Sequence, residues 1–397
     1  MSNVIGINWK IQLVRPSVLC VIHLLILISW DIINMKTERL KRKQQDEKGN
    51  WINNTRSYVF LLIVLLFSLL CLFFLSFDIG RFSGVTTEQV FKILVNQLFD
   101  GAFKQDWAAS AEVVVINYRC PRIMAAILVG AALPMAGASY QAIFANPMAS
   151  PDTLGVSNGA AVGAVIAILA GLSSFMVEVS AFFVGCAAVA TVYFLSLALS
   201  RGKSLTIFLI LIGMVISSTL AAVLSLLKYL CDTENQLPAI TYWLLGSFNS
   251  ITWQDARLYF IFFVIGSIPL LLLRWRMNLL SLSDMEAKSL GENTNILRSI
   301  TILSATLLTA ASIAITGGIG WVGLIIPHIA RIVVGQDFKK VLPTSALMGS
   351  IFLLAMDNIS RAALAIEIPI GVLTSIIGAP VFFFILVRFR RNMLSEN

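Results

Sequence analysis

Apolar residues run in stretches of membrane-spanning length near 58–77, 121–141, 155–173, 178–199, 205–229, 256–274, 296–316, 320–335, 342–363 and 369–388, with short polar segments between them. A hydrocarbon core about 30 Å thick takes roughly 20 residues of helix to cross. Backbone polar groups inside it have to be satisfied within the segment, so the runs predict helices. One of them, 320–335, is short and interrupted by Pro327. The pattern predicts an all-α polytopic membrane protein of about ten transmembrane helices, with no internal repeat.

A single membrane domain accounts for 55–397, and 1–54 reads as an extension with a basic flank. Within it, SVLCVIHLLILISW (17–30) is apolar but short for a span, and a basic run, MKTERLKRK, opens at Met35. Residues 1–34 are expected to be upstream sequence outside the native protein. No small-residue cleavage site follows the run, which disfavours a removed signal peptide.

Composition sharpens the class. The chain is 58% hydrophobic and 13% charged, against roughly 25% charged in a soluble domain. The net charge of +8 would suit nucleic acid or anionic lipid, but its distribution decides. Lys and Arg crowd into 36–56, 201–203, 274–298, 331–340 and 388–391, which are alternate connections of the ten-span pattern. Basic loops stay cytoplasmic, so both termini of the core domain are expected inside. Anionic lipid is then the charged partner, and nucleic acid is excluded. Cys20, Cys71, Cys120, Cys186 and Cys231 have no C-x-x-C spacing, so neither a zinc site nor a disulfide framework is indicated.

Three motifs look chemical. Gly155-Val-Ser157-Asn-Gly159 has the G-x-S-x-G spacing of a nucleophile elbow, which needs a strand-to-helix turn, a histidine and an acid. No strand precedes it, and only His328, after Pro327, could partner Ser157 inside the membrane domain. Small residues spaced three or four apart instead let helices approach closely in lipid, and the preceding Asn-Pro and Ser-Pro-Asp are turn and cap residues facing the cytoplasm. Arg201-Gly-Lys203-Ser204 imitates the end of a phosphate-binding loop, but Leu197 stands where that motif requires glycine. Asp357, Arg361 and Glu367 are ionisable residues at the outer end of the ninth span, where such groups default to functional hypotheses. The four-residue spacing of the first two also fits a helix-surface ion pair.

The loop MNLLSLSDMEAKSLGENTNILR (277–298) alternates apolar and polar residues at helical spacing. Ser283 and Glu286 form a capping-box pattern and Gly291 a stop. A short amphipathic helix here would lie on lipid or dock a soluble partner.

Taken with YRCPRIMAAILVGAALPMAGASYQAIFANPMASPDTLGVSNGAAVGA, YWLLGSFNSITW, GGIGWVGLIIPHIARIVVGQDFKKVLPTSAL and MDNISRAALAIEIPIGVLTSIIGAPVFFFILV, that loop resembles the FecCD-type (type II) permeases of bacterial ABC importers. Those importers serve iron–siderophore complexes, haem and cobalamin. The resemblance covers about 58–390. It implies a second permease subunit (homodimer or paralogue), two cytoplasmic ATPase subunits that hold the ATP and magnesium, and a periplasmic or lipid-anchored binding protein, all at the bacterial inner membrane. No cofactor is expected on this chain.

By the same likeness the loop helix is a coupling helix, with Glu286, Lys288 and Gly291 as ATPase contacts. Leu205 and Thr206 match one cytoplasmic gate, and Asn146 and Met148 a second constriction. Arg119, Arg122 and Arg361 match arginines that dock the binding protein, and a cationic rim suits pairing with carboxylates. A ferric siderophore is the expected cargo, with haem, cobalamin or molybdate as alternatives. From other classes, an ion-coupled secondary transporter and an intramembrane serine protease remain open.

Overall fold

The computed structural model describes residues 55–80, 86–99, 102–200, 204–282, 284–364 and 366–394. The leader, its basic flank, Arg201, Lys203 and Ser283 lie outside that set. Thirteen α-helices are present among the described residues, and no strand. They are α1 (Thr55–Asp78), α2 (Thr87–Leu98), α3 (Ala109–Ile143), α4 (Val156–Leu169), α5 (Ser174–Ser200), α6 (Leu205–Leu230), α7 (Gln236–Leu245), α8 (Trp253–Leu273), α9 (Asp284–Ser289), α10 (Thr294–Thr316), α11 (Val322–Val334), α12 (Phe338–Ala362) and α13 (Ile370–Leu394). Seven are long and apolar enough to cross a membrane, and the shorter apolar α4, α11 and the Ile370–Ile385 part of α13 match the remaining three of the ten expected spans. The chain is a multi-pass membrane protein. Its spans alternate between an end that carries α2 and an end that carries α9.

The interior is made by α3, α10 and α12, which are mostly buried, while α1 and α6 have little of their length covered. Apolar lipid gives no hydrophobic drive for helices to associate, so close packing has to supply it. Glycine does this at two crossings. A Cβ on Gly130 would lie 2.6 Å from Gly349 O, and one on Gly137 would lie 1.7 Å from Gly323 O. The α3–α12 and α3–α11 backbones therefore touch. Hydroxyls on α10 bond within their own helix or across it: Thr309 Oγ1 donates to Ala305 O, Tyr140 pairs with Thr306 at 2.9 Å, and Tyr259 with Ser312 at 2.7 Å.

Two elements depart from the expected pattern. The α3 helix begins at Ala109, twelve residues before the apolar run, and passes through π turns at Val114–Arg119. Trp253 Nε1 donates to Ile116 O within them at 2.7 Å. The span expected over 155–173 is only Val156–Leu169, and the turn before it does not lie at a membrane face. Gly213 packs on Thr153 O, Asn158 Nδ2 donates to Ser217 Oγ at 2.8 Å, and Gly159 packs on Val184 and Gly185. Ser217 is about 18 Å along α6 at 1.5 Å per residue. The turn is therefore sunk to roughly mid-depth, which corrects the expectation that it faces the cytoplasm.

Candidate functional site

At the α2 end, four elements bring charges together. Arg122, on α3, points its Nε at Asp357 Oδ1 of α12 (2.8 Å) and its Nη1 at Glu367 Oε2 (2.9 Å) and Asn249 Oδ1 (3.5 Å). Arg361 lies one turn along α12, with Nε 3.0 Å from Asp357 Oδ2. Its other nitrogens donate to Ile79 O (2.8 Å), Ser76 O (3.2 Å) and Asn358 Oδ1 (2.5 Å). Arg119 donates to Phe77 O and stacks under Gly80, where a Cβ would come within 3.2 Å of its guanidinium.

All three arginines are buried and Asp357 is fully so. The exposed cationic rim expected from Arg119, Arg122 and Arg361 is not there. The arginines tie α1, α3, α12 and the 363–369 connection together inside one subunit, because a buried guanidinium keeps its charge only with partners at hand. The Asp357–Arg361 pair exists, but in the interior and not on a helix surface.

Beside this network, α2 lies across the same end. Its start is held by a Thr86–Gln89 capping box, and Lys92 sits 2.7 Å from both Asp106 and Glu88. Hydrogen bonds to those two carboxylates, Asp106 first, raise the lysine's pKa above its ordinary value.

The α9 end is built differently. Leading into α9, Asn278 Nδ2 donates to Asp337 Oδ1, and its Oδ1 accepts from Phe338 N, both at 2.9 Å, which fastens the loop to the start of α12. The six-residue α9 follows, with Ala287 buried and Glu286 exposed. The side chain of Lys288 lies outside the described residues. Gly291 takes φ +80° with open space around its α-carbon, and Glu292 N reaches back to Ala287 O at 3.1 Å, a Schellman-type ending. Asn293 then caps α10 through its side chain. Leu282 and Leu290 project into the open beside the helix, apolar knobs that a loop facing only water would not favour.

The expected gate residues divide. Leu205, at the start of α6, is buried and Thr206 half-buried, whereas Asn146 and Met148 are exposed in the loop after α3. There Asn146 Oδ1 accepts from Met148 N at 2.9 Å. Ser157 Oγ donates to Asp152 Oδ1, and His328 packs its ring against Phe382. The histidine stands between α11 and α13, so no Ser–His dyad is assembled. Three polar links had no signal in the sequence: Asn278 with Asp337, Arg331 with Gln141, and Asn249 with Arg122. Each joins residues at least 59 positions apart, and no local spacing marks them.

The profile of the FecCD transport family matches residues 65–388. The molybdate import system permease protein MolB of Haemophilus influenzae is 39% identical over 322 residues, 81% of this chain and 94% of that one. The "Probable iron chelatin transport system permease protein" of Helicobacter pylori is 39% identical over 71% of this chain and 85% of its own length. The vitamin B12 import system permease protein BtuC of Citrobacter koseri is 38% identical over 72% and 87%. A solved structure described as "An inward-facing conformation of a putative metal-chelate type ABC transporter" aligns with a TM-score of 0.73 at 37% identity, covering 83% of this chain and 99% of the other.

Proposed function

We propose, taking as premise that this chain belongs to the FecCD transport family and is an ABC importer permease, that it carries a metal chelate inward, a ferric siderophore first. The α9 end is then cytoplasmic. The chain supplies the path through the inner membrane and a second permease subunit completes it. Two ATPase subunits hydrolyse ATP at α9, and a binding protein delivers cargo at the α2 end.

The observation that carries the energy-coupling half of this reading is the α9 foot. It is a short helix flanked by exposed Leu282 and Leu290, closed by Gly291 and followed by the Asn293 cap of α10. A push on α9 reaches the buried α10 through a connection of only four residues, 290–293. Glu286, Lys288 and Gly291 are the proposed contacts. Leu205 and Thr206, with Asn146 and Met148, form the proposed constriction where α6 begins.

Cargo follows from the uncovered face of α6, which exposes Ile207, Leu211, Met214 and Val215 beside Ser218 and Thr219. Such a wall suits a bulky, partly apolar chelate better than a small dehydrated ion, which needs a ring of fixed charges or carbonyls. The aligned metal-chelate transporter points the same way. Molybdate is the second reading, favoured by the match to MolB over nearly all of that protein.

The test is uptake in vesicles by the chain reconstituted with its ATPase and binding protein, offering labelled ferric chelate or labelled molybdate. Chelate accumulation that requires ATP and all components supports the reading. Uphill transport by the chain alone would sink it. Gly291→Pro should lower uptake at least about tenfold while insertion stays normal, because proline cannot adopt the left-handed backbone there. Unchanged uptake would remove α9 from the coupling route.

A further inference from the structure

The proline- and glycine-rich turn before α4 carries an ionisable side chain that neither the charge network nor the foot uses. Asp152 sits in a single 3-10 turn, Pro151–Leu154, and its side chain is exposed. Three independent packing contacts fix its depth. Thr153 O lies against Gly213, eight residues into α6; Pro151 Cδ lies against Gly323, which itself packs on Leu133 of α3; and Gly159 lies against Gly185 of α5. At 1.5 Å per residue the first two registers put the turn roughly 12–17 Å from the α9 end of its neighbours, and the third puts the first turn of α4 about 22 Å from it. Allowing for the few ångströms by which the 26-residue α6 overhangs a hydrocarbon core about 30 Å thick, that lies well inside the core, towards its middle.

A carboxylate at that depth cannot face lipid at tolerable cost. Ionisable groups inside membranes face the bundle interior or a water-filled cavity. Non-helical backbone at that depth obeys the same restriction. Asp152 is not packed inside the bundle, and no lysine or arginine stands within 4 Å of it among the described ion pairs. What remains is the aqueous path that this chain and the second subunit enclose.

Its surroundings keep the charge. Ser157 Oγ donates to Oδ1, leaving Oδ2 available, and the amino end of α4 begins four residues on, after Gly155 turns the chain at φ +77°. The positive end of a helix dipole favours an anion within its first turn. The Asn158 amide on Ser217 of α6 adds a polar neighbour.

We propose that Asp152 lines the aqueous part of the translocation path at mid-membrane and selects by charge. It favours cargo that presents hydrogen-bond donors or positive charge over anionic cargo. The inference rests on the importer reading for the word cargo, and on the geometry alone for the water-filled, acidic position.

The experiment keeps those two parts separate. In the reconstituted complex, Ser157→Cys is reacted with thiol reagents of matched size that carry a fixed positive or a fixed negative charge, against the native cysteines as background. The cationic reagent should react faster by about tenfold relative to its ratio on a free thiol. Adding Asp152→Asn should bring that ratio back to the free-thiol value; asparagine can still accept from a neighbouring donor, so the turn is retained. No reaction with either reagent, or a ratio indifferent to Asp152→Asn, overturns the proposal.

In parallel, Asp152→Asn alone should lower ferric chelate uptake about tenfold, the scale of one lost charge-assisted hydrogen bond, with binding-protein-stimulated ATP hydrolysis kept. Uptake equal to wild type overturns the cargo-selecting role. Failure of the wild-type complex to import any chelate would count against the importer's proposed cargo instead, and the labelling ratio would still judge the acidic position.

Discussion

The two ends of this molecule handle charge in opposite ways. At the α2 end, Arg122, Arg361, Asp357 and Glu367 are interlocked, with Asp357 fully buried and its two arginines at 2.8 and 3.0 Å. At the α9 end, Arg276 reaches Glu292 only at 3.6 Å and is 55% exposed. Gly291 there has nothing within 4 Å of its would-be Cβ. One end is cross-linked by groups that cannot let go without stranding a charge in a low-dielectric interior. The α9 foot at the other end is held by a helix cap and a few hydrogen bonds, which suits a part that follows an external partner.

The sharpest way to break that contrast is Asp357→Ala. Removing one partner of a buried ion cluster leaves the others uncompensated and costs about 3–5 kcal/mol, here with two arginines affected. Thermal unfolding in detergent or nanodiscs should show a large loss of stability or no folded protein. A near-normal melting curve would mean that the network is a surface feature after all. For the same reason, reversing Arg119, Arg122 and Arg361 together tests folding and not docking.

A smaller effect is expected from Gly291→Ala. Left-handed backbone costs a non-glycine residue roughly 1–2 kcal/mol, and open space means no added clash. Uptake should fall by less than in Gly291→Pro, with melting shifted slightly. An effect as large as that of proline would show that the left-handed backbone itself, beyond simple helix termination, is essential to coupling. The smallest is Arg276→Gln. An exposed pair contributes about 0–1 kcal/mol, so stability should be unmoved within error. A clear drop would place that loop in a tighter environment than its exposure indicates.

Much of the architecture could be read from the chain because spans announce themselves. Runs of twenty apolar residues have few alternatives in water or lipid, and the edges of α5, α6, α8, α10 and α12 fall within a few residues of the runs. The stop at Gly291 was legible for a similar reason: glycine just past a periodic stretch has one common use. What stayed hidden depends on depth and on distance in sequence. Hydropathy reads Asn-Pro and Ser-Pro-Asp as a surface turn, and nothing local says that α4 starts only after the chain has returned to mid-membrane. Likewise α2 and α7, twelve and ten residues long, fall below the length that separates a span from a core helix. The arginines expected at an exposed rim are buried instead, because the carboxylates that hold Arg122 come from 235 and 245 residues away.

The shortness of α4 has a consequence for how the polypeptide enters the bilayer during synthesis. Fourteen residues rise about 21 Å, too little to cross a core near 30 Å. On its own, α4 is a poor substrate for the insertion machinery. It is tied to α5 by Ser180 Oγ on Gly163 O at 2.7 Å, and the link between them is only Ala170–Ser173. The two therefore have to be admitted as a hairpin, the long helix carrying the short one in, and a stop codon or fusion placed between them should leave α4 outside the lipid.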